Sequence, residues 1–127
     1  FLYLFEIIQV MKEIEQIYFN EFGVAFHWKK EQKVLKSKVQ LVFKETGFYL
    51  SKEELTIFAG NIDLTCNELS CNTCEFQRKC HKFLLKTPLQ QIDLAVSVDE
   101  LMQIKDLVEG TIFQIQLKEY LDEVCQN

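Results

Sequence analysis

The apolar positions along the chain change period several times, and each change marks an element. Leu4, Ile7, Ile8, Met11, Ile14, Ile17 and Tyr18 recur at helical spacing, which predicts an amphipathic helix over residues 4 to 18. The aromatic start, Phe1 to Phe5, would also suit a strand. Two β-prone runs follow, Val24 to Trp28 and Val39 to Phe43, joined by a lysine-rich connection. Glu45-Thr46-Gly47 is expected to turn the chain into Phe48-Tyr49-Leu50 and so complete an antiparallel meander.

Ser51-Lys52-Glu53-Glu54 has the form of a capping box, in which serine and glutamate each accept from the other's backbone N–H, so a helix is expected through Leu55, Ile57 and Phe58 and past Gly60. The same grammar recurs 46 residues later. Ile92 to Val96 alternates as a strand, and Ser97-Val98-Asp99-Glu100-Leu101 repeats the cap. Leu101, Ile104, Leu107 and Val108 place a second helix that should end near Gly110, glycine being the usual residue just past a helix end. A terminal helix is expected from about Gln116. The whole predicts one α+β domain over residues 1–127, a small antiparallel sheet (the meander plus one later strand) covered by helices. Residues 1–19 form an N-terminal helix or extension, and residues 66–81 a cysteine-rich, metal-binding insert.

With 48% hydrophobic residues, 11 Phe among them, the 127-residue chain can fill a core. Four Gly and one Pro leave little room for glycine-rich phosphate loops, which disfavours a nucleotide-binding enzyme. A net charge of -5 makes nucleic acid an unfavoured partner. Charge is nevertheless segregated. Lys29, Lys30, Lys33, Lys36, Lys38 and Lys44 fall in one stretch and Arg78, Lys79, Lys82 and Lys86 in another, while acids prevail after residue 93. No apolar run is long enough to span a bilayer, and the N-terminus does not have the pattern of a signal peptide; Met11 offers an alternative start. A cytoplasmic location is expected, because five cysteines, four of them within fifteen residues, do not make a disulfide framework.

Those four carry the one specific chemical signal. Cys66, Cys71, Cys74 and Cys80 follow a C-x4-C-x2-C-x5-C pattern, with His81 directly after the last. A C-x2-C turn can set two sulfurs on one ion while backbone N–H groups donate to the thiolates. Four thiolates round Zn2+ leave an excess of about two negative charges, which Arg78, Lys79 and Lys82 are placed to offset. His81 is an alternative ligand to its neighbour Cys80. The competing reading is an iron–sulfur cluster or thiol redox chemistry: C-x4-C-x2-C also opens the plant-type ferredoxin pattern, although there the fourth cysteine lies far downstream. Cys125 is expected to be a buried core cysteine.

Nothing in the sequence assembles a catalytic set. His27 reads as a structural histidine within a strand, and the acidic pairs Glu53-Glu54, Asp99-Glu100 and Asp122-Glu123 as helix-end and surface charges. The function expected is a non-enzymatic interaction module with a structural zinc site. Arg78, Lys79, Lys82 and Lys86, joined by His27 and Trp28, would face an acidic protein partner. Apolar residues 1 to 8 could add a homodimer contact. The meander, the Leu50-to-Leu55 junction, the cysteine cluster and the segment from Lys82-Phe83-Leu84-Leu85-Lys86-Thr87-Pro88 to Asp99-Glu100-Leu101 together resemble a group of small bacterial proteins of unknown function. The resemblance spans most of residues 20 to 125 and implies no activity.

Overall fold

A computed structural model of the chain describes residues 13–69 and 82–125. Seven strands and two helices follow in the order β1 (Ile14–Phe19), β2 (Gly23–Lys30), β3 (Lys33–Val34), β4 (Lys38–Phe43), β5 (Thr46–Ser51), α1 (Lys52–Glu68), β6 (Phe83–Lys86), β7 (Asp93–Val96) and α2 (Val98–Cys125). The first five make one antiparallel sheet, ordered β1-β2-β4-β5 with β3 paired to the far end of β2. The expected meander is β2-β4-β5.

Residues 14 to 18 are strand, not helix, and a bulge explains why their pattern misleads. Pairing of β1 with β2 shifts between Gln16 and Tyr18, so the successive residues Ile17 and Tyr18 both pack against the main core. Apolar positions 14, 17 and 18 therefore mimic helical spacing while lying on a bulged strand. The rest of the expected N-terminal helix lies outside the described residues. The second hairpin turn also differs from expectation. Its left-handed residues are Lys44 (φ 49°) and Glu45 (φ 60°), a two-residue loop, and Gly47 already belongs to β5. Glu31 (φ 52°) and Gln32 (φ 66°) close the β2–β3 hairpin in the same way.

Both helices lie on one face of the sheet. Ala25, Val39, Leu41, Phe43, Phe48 and Leu50 from that face bury against Leu55, Phe58 and Ile62 of α1 and Leu101, Ile104, Leu107 and Val108 of α2. The opposite face carries a smaller cluster of Ile14, Val24 and Phe26, with Trp28 packed edge-on to Phe26. The later strand does not join the main sheet. β7 pairs antiparallel with β6 in a separate two-stranded sheet, because β6 precedes it by only a short connection that Thr87 closes by donating to the Ile92 carbonyl (2.6 Å). Leu85 and Val96 still reach the core between the helices.

α2 runs unbroken through Gly110, so the two expected C-terminal helices are one. Gly110 does not end the helix; it admits Tyr18. A Cβ there would stand 2.4 Å from the tyrosine ring. The Tyr18 hydroxyl continues to Asp106 Oδ2 (3.0 Å), and Asn20 Nδ2 donates to the same carboxylate (2.9 Å). Burial, and then the Asp106 carboxylate, push the Tyr18 phenol up from its ordinary value. No described helix is long and apolar enough to cross a membrane.

Candidate functional site

Of the expected cysteine set, the described residues include Cys66 alone; Cys71, Cys74, Cys80, the alternative ligand His81, and Arg78 and Lys79 lie outside them. Cys66 sits in the last turns of α1, half-buried against the main core. Burial pushes its thiol up, and Asp63 and Glu109 push the same way against Lys105, which bridges from α2 to Asp63 at 3.7 Å. The chain leaves α1 after Leu69 and is described again at Lys82, just before β6. Those two ends belong to elements that pack together, with Asn61 Nδ2 of α1 donating to the Lys86 carbonyl of β6 (3.1 Å). In chain order the cysteine segment thus falls between the β5–α1 unit and β6. Among the described residues, no three His, Cys, Asp or Glu side chains group to hold a metal. Cys125, expected in the core, is exposed at the last residue of α2.

Two of the expected partner-binding lysines are described, and they differ. Lys82 is held by Glu100 (2.5 Å), which also takes Lys44 (2.8 Å) and the Ser97 N–H (2.8 Å). Burial raises the Glu100 carboxyl, but the two lysines and the Ser97 amide outweigh it and lower the pKa to about 2. Lys86 is exposed, and no described side chain forms an ion pair with its ammonium.

The structure adds a site that the sequence did not reveal. A cleft of about 160 Å3 opens between β1 and β2, the C-terminal half of α2 and the first residue of α1. Its walls are joined by two ion pairs, Lys118 with Glu15 and Lys52 with Glu119. The Glu15 carboxyl is lowered chiefly by its hydrogen bond from Lys118, against desolvation, with smaller help from the charges of Lys118, His27 and Lys29. His27 lies directly across from Glu15 in the β1–β2 ladder and is only 7% exposed. Its Nδ1–H donates to the Lys38 carbonyl (3.0 Å), since a carbonyl can only accept. Nε2 has no partner among the described residues and is not sealed in the interior, and the His27 side chain lines the cleft. Lys36 and Asp122 also line the cleft and are exposed, without an ion pair to any described residue. His27 is therefore satisfied as a structural histidine on one side only. Trp28 belongs to the other face, donating through Nε1 to Gln40 (3.1 Å), so the two do not form one surface. Single positions gave no signal of this cleft, because its paired residues stand 103 and 67 positions apart.

Compared with protein-family models, curated proteins and solved structures, the chain matches none.

Proposed function

We propose that the chain is a non-enzymatic interaction module in which Cys66, Cys71, Cys74 and Cys80 hold a structural zinc ion, with His81 as the alternative fourth ligand. The observation that carries this reading is the place of the insert. Cys66 lies in the last turn of α1, Lys82 begins the approach to β6, and α1 and β6 pack together. An ion bound by cysteines at both ends of the insert would clamp the exit of a helix to the entry of a strand, and four thiolates make a closed tetrahedral set with no open position for catalysis. Arg78, Lys79 and Lys86 would then present positive charge to an acidic protein partner. Lys82 contributes less, its charge being balanced by Glu100.

Native mass spectrometry with elemental analysis tests the reading. One zinc per chain is expected, lost together with partner binding in Cys71→Ser/Cys74→Ser. Iron with inorganic sulfide would replace it with the iron–sulfur reading. A metal-free protein whose cluster thiols alkylate at once would replace it with thiol redox chemistry.

A further inference from the structure

We infer that the cleft beside His27 binds a small zwitterion of amino-acid size. The size follows from the volume: about 160 Å3 is close to the roughly 150 Å3 cavity that admits benzene, room for a molecule of a few heavy atoms. The chemistry follows from the charges that remain. Glu15 and Lys118 satisfy each other, as do Lys52 and Glu119. That leaves one cation, Lys36, one anion, Asp122, and the Nε2 of a histidine that is otherwise buried.

The tautomer decides what Nε2 asks for. With Nδ1–H committed to the Lys38 carbonyl, the uncharged form of the ring offers Nε2 as a lone-pair acceptor for an N–H or O–H donor. A carboxylate alone would suit Lys36 but meet Asp122 and that lone pair. An ammonium alone would suit Asp122 and Nε2 but meet Lys36. A molecule carrying both groups answers all three, its ammonium toward Asp122 and Nε2 and its carboxylate toward Lys36.

The test is a titration of the intact protein with the L-amino acids one at a time, each to about 10 mM, following heat and the His27 ring resonances. Acetate, methylammonium and the N-acetyl and methyl-ester forms of any binder serve as probes of each half. At least one amino acid should bind and shift the His27 ring, and both blocked forms should fail. Lys36→Gln and Asp122→Asn should each weaken binding by about tenfold, a change of about 1.4 kcal/mol. Both residues are exposed, so the variants should unfold at the wild-type temperature, and His27→Gln should abolish the response. No binding by any amino acid overturns the inference. So does binding of acetate or methylammonium as tight as that of the amino acid, or binding that the Lys36 and Asp122 variants leave unchanged.

Discussion

The two helices begin with the same four-residue grammar and then diverge. At α1, Ser51 Oγ accepts from the Glu54 N–H (3.2 Å) and Glu54 accepts from the Ser51 N–H (2.9 Å); at α2, Ser97 and Glu100 make the same two bonds at 3.2 and 2.8 Å. Local sequence fixes the cap, and the surroundings fix what the cap is for. Glu54 is half-buried like Glu100, but its carboxyl is lowered by the Ser51 amide and hydroxyl, with only a lesser contribution from Lys38. Glu100 gathers Lys44 from the β4–β5 turn and Lys82 from the approach to β6, so one cap also ties the main sheet to the small one. Each helix has one internal glycine, and these differ as sharply. A Cβ on Gly60 would meet nothing within 4 Å, whereas one on Gly110 would enter the Tyr18 ring.

The largest effect expected from breaking this contrast is at Gly110. Gly110→Ala should destabilise by about 1–3 kcal/mol through overpacking, despite alanine's better helix propensity. Thermal unfolding checks this, and in a Tyr18→Ala background most of the cost should vanish. A full cost in that background would mean that Tyr18 is not the reason for the glycine.

Next comes Glu100→Gln, which keeps the cap but removes the charge. A fall in pKa from 4.5 to about 2 corresponds to roughly 3 kcal/mol at 1.36 kcal/mol per unit; screening at the partly exposed lysines reduces the expected loss to about 1–2 kcal/mol. Because the folded pKa lies below the unfolded one, this stability is fully present above about pH 4.5 and is lost as pH falls toward 2. Unfolding measured between pH 6 and pH 2.5 should show wild type and Glu100→Gln converging as acid is added. Glu54→Gln should change the acid limb far less, and equal effects at the two caps would erase the distinction drawn between them.

The smallest effect has the opposite sign. Gly60→Ala should stabilise α1 by about 0.5–1 kcal/mol, a rise of a few degrees in Tm, because alanine there gains helix propensity and displaces nothing. A loss of stability would reveal a contact at Gly60 beyond the described residues.

What the sequence made legible was local. Capping boxes span four residues and strand alternation six, so both caps, the meander and the strand over Asp93–Val96 could be read directly. Features set by distant partners could not be. The bulge that gives β1 its helix-like spacing exists only through pairing with β2, and Gly110 looks like a helix stop until Tyr18, 92 positions earlier, is placed on it. Pairing of β7 with β6 depends on how a hairpin closes. The cleft required residues from β1, β2, α1 and α2 at once. Of the cysteine pattern, Cys66 alone falls among the described residues, in the last turn of α1.

Amide hydrogen exchange before and after zinc chelation tests the proposed clamp most directly. If the cysteines join the end of α1 to β6, stripping the metal should remove protection from the last turns of α1 and from β6–β7 while leaving β2, β4 and β5 protected. An unchanged protection map after chelation, or a protein with no metal to strip, would contradict it.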